Sequence, residues 1–328
     1  KVDGGKLKAL VENKGLIRAD GGAVYLTAAG RDQLLGGVVN NEGIIQARSL
    51  ENKQGRIILS GLESGDVLNS GRLDVSGQVK GSKGGVVALN GRRVAVTGQA
   101  VIDASGVAGG GRVVIGGDQL GKASDVIKVG LSDNTVIDKN AFIKIGSTQG
   151  DGGFVETSGH QLTMLGTVEG KSAGKNGQWL IDPNDVTIGT GATTNMSANP
   201  FTPSGTGNGI VNNGSIEAAL NSGTNVTITT AGSGSATGNI TWSSSNVNKT
   251  AGGSATLTLI ANGSITLSNV TIQSNSSALN INLAAAQSTD GAISFTNTTI
   301  NTNNGNLTTS SNTTGVSTTA LNFAGTNN

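Results

Sequence analysis

Catalysis draws on a small set of side chains, and this sequence of 328 residues is poor in them, with no cysteine and one histidine. Zero cysteine removes disulfides, thiolate nucleophiles and Cys-ligated zinc together. His160 lies in the loop-like TSGHQL without a second histidine, and reads as an exposed corner residue rather than a general base. Asp182 and Asp185 flank Pro183, which reads as a turn initiator rather than a calcium or acid pair. The calcium-binding β-helix repeat GGxGxDxUx does not occur. Glycine clusters such as GGG at 109–111 have no P-loop lysine in register and read as corners. Basic residues are dispersed among acidic ones, Arg92-Arg93 being the densest pair, as on an ordinary solvated face. No catalytic residue, metal site or cofactor is therefore expected.

Two patterns remain. Asp74, Asp103, Asp138 and Glu169 recur once per repeat unit, in one row with Arg18 and Gln46. Successive units of a stacked β structure lie about 4.8 Å apart. That spacing suits the paired carboxyls of a polysaccharide lyase or hydrolase. The second pattern is eleven Asn-X-Ser/Thr sequons: Asn195, Asn213, Asn225, Asn239, Asn248, Asn262, Asn269, Asn275, Asn297, Asn306 and Asn312. Composition alone accounts for about seven, so they are possible glycosylation sites on a weak excess.

The elements that position these residues follow from composition and periodicity. With 53 glycines, a mainly helical chain fails, since each interior glycine costs about 1 kcal/mol relative to alanine. Three prolines and no three-residue glycine period exclude collagen. A formal net charge of +1 and apolar runs such as RIIL and VVAL argue against disorder. Nothing approaches the roughly 18 apolar residues of a membrane-spanning helix. With aromatics at 2%, the footprint of a nucleic-acid binder is also missing.

Self-similarity carries the fold. One set of strings runs GLIRA at 15–19, GIIQA at 43–47, GRLDV at 71–75, AVIDA at 100–104, TVIDK at 135–139 and GTVEG at 166–170. A second string succeeds each: AVYL at 23–26, RIIL at 56–59, VVAL at 86–89, RVVI at 112–115, FVET at 154–157 and QWLI at 178–181. Each string has the length of a short strand bounded by turn residues. Parity in the first set separates aliphatic from polar positions, as in a wall with an inside and an outside. The 8 to 19 residues before each next coil leave room for a third short strand in most coils. The expected fold is all-β, a right-handed parallel β-helix of about a dozen coils. Glycine, and asparagine at Asn13, Asn40, Asn41 and Asn69, are expected at corners needing positive φ. The chain divides into a charged shaft at 1–189, a loop or excursion at 190–215 carrying Pro200 and Pro203, and an Asn/Ser/Thr-rich continuation at 216–328. Its end, from about 312, is expected to fray.

The run ALVENKGLIRADGGAVYLTAAGRDQLLGGVVNNEGIIQARSLENKQGRIILSG at 9–61 resembles the repeat region of the filamentous haemagglutinin family. So do VIDASG at 101–106, GGGRVVIGGD at 109–118, GDGGFVETSG at 150–159 and GQWLIDPNDVTI at 177–188. The resemblance covers 1–190 with five blocks in order, and continues more loosely from 210. It implies a secreted exoprotein of a Gram-negative bacterium, exported by two-partner secretion through an outer-membrane β-barrel transporter. The function implied is the shaft of a cell-surface adhesin or biofilm-matrix fibre, with a host-cell, bacterial-surface or polysaccharide receptor. The stalk of a contact-dependent toxin or haem-acquisition protein is the alternative, and after it the polysaccharide-degrading enzyme. The family's Asn-Pro-Asn motifs of the secretion domain are absent, so the chain is similar to the stretch just after that domain. Coils are then expected to continue beyond both ends, in a longer protein.

The outward parity of the second set is unexpectedly apolar, with Ile58, Val86, Val114 and Phe154 in one ladder. Such a ladder is expected to be covered. Either 117–134 or 190–215 folds back over it, or a lateral partner does.

Overall fold

The computed structural model describes residues 10–28, 38–51, 53–117, 130–191, 209–230, 237–287, 291–311, 316–318 and 321–327. The chain is 56% strand and 4% helix, its parallel sheets stacked as a right-handed parallel β-helix. Each coil visits a third face, then the first face, then the second. Among the described residues the hydrogen-bonded sheets have twelve strands on the third face, six on the first, and thirteen in a sheet that follows the second face. Through the long strand Thr298–Ser311, that last sheet also takes in Val247–Lys249 and Thr271–Ser274. The third short strand of each coil is thus present, for example Val38–Asn41, Asp66–Asn69 and Arg93–Val96.

Register on the first face stacks Ile17, Ile45, Leu73, Ile102, Ile143 and Val168. This corrects one assignment of the sequence reading. The string at 135–139 belongs to the third face, where Asn134–Ile137 pairs with Arg93–Val96. Phe142–Lys144 takes the first-face position instead. Asp138 therefore leaves the carboxylate row, and Lys144 enters it. The two strings lie seven residues apart, and parity favours the later one, since Ile143-Lys144-Ile145 is apolar-polar-apolar whereas Ile137-Asp138-Lys139 ends in a charge. Nor is the outward side of this face wholly polar, since Leu16 and Ile44 are exposed.

Glycine takes positive φ as expected at Gly21, Gly81, Gly98 and Gly116, but the four corner asparagines do not. Asn13, Asn41 and Asn69 have ordinary backbone φ and end consecutive third-face strands. Their amides form a buried ladder, with Asn13 Nδ2 donating to Asn41 Oδ1 and Asn41 Nδ2 to Asn69 Oδ1, both at 2.7 Å. Each also donates to the corner carbonyl two residues on, at Gly15, Gly43 and Gly71. Asn40 points outward and donates to Glu42. Other glycines, among them Gly85 and Gly111, have no positive φ. A Cβ on Gly111 would overlap the carbonyl oxygen of Gly85, one coil below, so the requirement is close approach between backbones.

Within the expected excursion at 190–215, residues 192–208 lie outside the described residues. Next in the chain come a strand, Gly209–Asn212, and a helix, Asn213–Asn221. The strand inserts between Gln161–Met164 and Val186–Gly189, so chain order and rung order are exchanged there. The helix takes one rung of the first face, between Thr167–Glu169 and Val247–Lys249. Asn212 caps it, accepting from the Gly214 amide at 2.8 Å. Ile216, Ala219 and Leu220 form its buried stripe. Beyond it the coils resume; after residue 311 the described residues form the strands Val316–Thr318 and Leu321–Asn327, and the rest of the segment expected to fray lies outside the described residues.

One continuous core runs from Val24 to Leu307. In the second half it is aliphatic but for Trp242 and Phe295, and strands alternate buried with half-exposed residues, as in Leu279–Ala285. No helix of the described residues is long and apolar enough to cross a membrane.

Candidate functional site

Two carboxylates of the first-face row, Asp74 and Asp103, are consumed by structure, while Glu169 makes no ion pair among the described residues. Asp74 is 1% exposed, and Oδ1 accepts from the Ser76 amide at 3.0 Å and hydroxyl at 2.6 Å. Its Oδ2 accepts from Arg48 at 3.1 Å and Arg72 at 3.3 Å. Asp103 repeats the pattern with Ser105, and takes Arg72 at 2.9 Å. Burial pushes the Asp74 carboxyl up, but Ser76 and the two guanidinium groups outweigh it and hold the group below the usual carboxylate range. An acid so saturated cannot hold a proton near neutrality or swing toward a substrate. The row is a ladder of charge-assisted hydrogen bonds tying three coils together.

Asp74→Ala should therefore cost stability. The stranded Arg48 and Arg72 remain about one-third exposed and can rehydrate, which limits the loss to about 2 kcal/mol. A carboxylate with a lowered folded pKa stabilises above its unfolded pKa, and that contribution fades as pH falls through the folded value. The gap between Asp74→Ala and the parent chain should then be full at pH 7 and shrink in acid. Urea titrations at both ends of that range measure it; equal midpoints at pH 7 would refute the ladder's role.

His160 is exposed, with Nδ1 3.5 Å from the Asn184 amide. Asp182 and Asp185 are not a pair. Asp182 does not begin a turn but lies near the end of the second-face strand Gln178–Pro183, where it is buried. Asp185 accepts instead from the Asn239 amide at 2.6 Å. Lys249 is buried too, with Nζ donating to the carbonyls of Ala251 at 2.7 Å and Gly252 at 3.3 Å, and burial lowers its pKa. Among the described residues, no three acidic or histidine side chains are grouped to hold a metal ion.

Four sequon asparagines are exposed: Asn269, Asn275, Asn297 and Asn306. Asn269 and Asn297 stack in left-handed corners, Asn297 Nδ2 donating to Asn269 Oδ1 at 2.9 Å. Asn213, Asn225, Asn239, Asn248 and Asn262 are half-buried, and Ser215 of the first of these sequons is buried. Asn195 and Asn312 lie outside the described residues. On the second face the expected apolar ladder is split between two columns: Ile58 and Val114 stack with Ala88 and Glu156, whereas Val86 and Phe154 stack with Arg56 and Arg112. Ile58, Val86 and Val114 are buried and Phe154 is half-buried. The segments named as the ladder's cover, 117–134 and 190–215, lie largely outside the described residues.

What folding assembles, and the sequence reading missed, is the corner between the first and second faces. It comprises 47–56, 75–86, 104–112, 145–154 and 170–178 in the second to sixth coils. Basic residues here are Arg48, Lys53 and Arg56, then Lys80 and Lys83, then Arg112, then Lys171 and Lys175. Against these eight stand two acids, Glu51 and Asp151, although the whole chain is only +1. The signal was readable: counting charge by corner rather than along the chain separates it. Arg48 is paired with Asp74. Among the described residues, no carboxylate lies within ion-pair distance of Arg56, Lys80, Lys83, Arg112, Lys171 or Lys175.

The same corner is concave. A groove of about 670 Å³ runs over four coils beside Gln78, Lys144, Ser147, Glu169, Lys171 and Ser172. A second, of about 450 Å³, lies between Gln54, Arg56, Arg112, Phe154 and Gln178, floored by glycine pairs of three coils. Arg112 holds its guanidinium 5.3 Å from the centre of the Phe154 ring. Its Nε and Nη2 are buried without a hydrogen-bond partner.

No protein-family model matches this chain, and no curated protein matches it at a significant level.

Proposed function

We propose that this chain is the shaft of a secreted, cell-surface adhesin or biofilm-matrix fibre of a Gram-negative bacterium. Its family, on this reading, is that of the filamentous haemagglutinins, exported by two-partner secretion through an outer-membrane β-barrel transporter. The observation that carries the reading is the unbroken stack. Twelve third-face rungs share one core, and at about 4.8 Å each they give a rod of roughly 55 Å. A rod of this kind projects what it bears away from a surface, and parallel coils let it thread outward and fold rung by rung. Asp74 and Asp103, locked in ion pairs, favour this over the polysaccharide-cleaving reading. A toxin stalk or haem-acquisition stalk would use the same shaft.

The test is location. In the source bacterium, an antibody raised to this chain should label the outside of intact cells. Deleting the neighbouring outer-membrane barrel gene should abolish that label while leaving the protein inside. Unchanged cytoplasmic protein in both strains would overturn the reading.

A further inference from the structure

The bond between Asp182 and Pro183 joins a nucleophile to a labile amide. Of the three prolines, only Pro183 follows an aspartate. The side-chain carboxyl of such an aspartate is tethered within ring-closing reach of its own main-chain carbonyl carbon, at a high effective concentration. Proline contributes a tertiary amide, whose nitrogen bears no hydrogen and accepts a proton more readily than an ordinary peptide nitrogen. The state of the acid then decides reactivity, because the departing nitrogen needs a proton and a protonated carboxyl supplies it. An aspartyl-prolyl bond in an unfolded chain therefore breaks in acid and persists at neutral pH.

Folding changes that condition here. Asp182 is 2% exposed, in register with Ser158 near the end of the strand Gln178–Pro183. Among the described residues, neither of its side-chain oxygens has a hydrogen-bond partner. Asp74 and Asp103, by contrast, are each fixed by a serine hydroxyl and a guanidinium. The hydroxyl of Ser158, the nearest equivalent, goes to Glu156. No hydrogen bond has to break for the Asp182 carboxyl to turn toward its backbone. Burial, with the Glu156 carboxylate adding to it, raises its pKa to about 7, so a large share of folded chains keeps the proton near neutrality.

We propose that the folded chain cleaves itself between Asp182 and Pro183. One carboxyl oxygen of Asp182 attacks the main-chain carbonyl carbon of the same residue, and a C–O bond forms. The C–N bond to Pro183 breaks, and its electron pair takes the proton that the carboxyl gives up. The products are a cyclic anhydride at Asp182 and a secondary amine at Pro183. Water opens the anhydride to the two carboxyl groups of a C-terminal Asp182, so the sum is hydrolysis of one peptide bond. The nick leaves the rod standing, because strands on its two sides stay paired. Gln178–Ile181 pairs with Asn225–Ile228, and Thr163 and Met164 with Ile210 and Val211. Beyond Pro183 the charged residues are Asp185, Glu217, Lys249 and Asp290 alone, so a charged chain and a nearly uncharged one come to share one core. The inference concerns one bond wherever the protein resides, and is independent of the proposed function.

The purified 328-residue chain is incubated at neutral pH with inhibitors of every protease class, then resolved by denaturing electrophoresis and mass spectrometry. Two fragments should accumulate, one ending at Asp182 and the other beginning at Pro183. With hydroxylamine present, the first should end in the Asp182 hydroxamate, the adduct of an anhydride. Asp182→Asn should lower the rate about a hundredfold or more. Pro183→Ala keeps the acid, restores an ordinary amide and should also slow the reaction. The parent chain unfolded in urea at the same pH should stay intact, since its carboxyl is ionised there, and this arm needs no variant to fold. An intact parent chain after prolonged incubation, parent-rate cleavage of Asp182→Asn, equal cleavage in urea, or fragments ending at another residue would each overturn the inference.

Discussion

Asp182→Asn should stabilise this protein at pH 8 and not at pH 4, by a difference approaching 4 kcal/mol, the equivalent of a carboxyl carried from its ordinary pKa to about 7. Asp182 is 2% exposed, and neither carboxylate oxygen has a hydrogen-bond partner. Burial raises its pKa first, and the Glu156 carboxylate on the adjoining strand adds to it. Ser158, in register with Asp182, gives its hydroxyl to Glu156 at 2.9 Å. The folded group therefore keeps its proton up to about pH 7, while the unfolded one loses it near pH 4. Its contribution to stability is complete below the unfolded value and is lost as pH rises through the folded one. Asparagine cannot ionise, so the variant lacks this slope. Thermal melts of both proteins from pH 4 to pH 8 decide the matter. A stability difference that stays flat across that window would show that Asp182 is ionised in the folded chain.

Trp242→Ala should cost about 3–5 kcal/mol, from the lost side-chain volume and the cavity left behind. Trp242 is fully buried on the third face, in register between Ile188 and Leu267. Its Nε1 donates to both the carbonyl and the hydroxyl of Ser245, each at 3.0 Å. The surrounding coils rely on single aliphatic residues at most inward positions, so no neighbour can fill that volume. Trp242→Phe keeps most of the bulk and loses the hydrogen bonds, and should cost about 1–2 kcal/mol. Trp179, in the first half, gives a separate fluorescence signal. In the alanine variant, urea should unfold the second half before Trp179 reports, since solenoid coils depend chiefly on their neighbours. Coincident transitions at the parent midpoint would refute this.

Much of the architecture was legible because β structure writes itself in parity. Ile45, Leu73 and Ile102 alternate with Gln46, Asp74 and Asp103, and a side chain's position in a strand dictates its side of the wall. Recurrence near 28 residues then dictates stacking, since each unit can bury its apolar side only against its neighbours. The helix at Asn213–Asn221 was hidden by composition, although Asn212 and the spacing of Ile216, Ala219 and Leu220 carry a capped, amphipathic signature.

Three things lay beyond the sequence, each for a reason in distance. The choice of Phe142–Lys144 over 135–139 depends on which string meets the coil below, and Lys139 at an inward position was the one sign of it in the sequence. Asp182 looked like a turn residue, and only its burial beside Glu156 makes it a titrating group near neutrality. Charge read along the chain is mixed, because acids on the first-face strands alternate with bases in the corners. Folding stacks those corners about 4.8 Å apart, and the bases become neighbours across about 30 residues of sequence. Sequence thus determined the coil, its inside and its outside. The tertiary structure decided which outward residues share an edge, because electrostatic interaction follows distance in space and not separation along the chain.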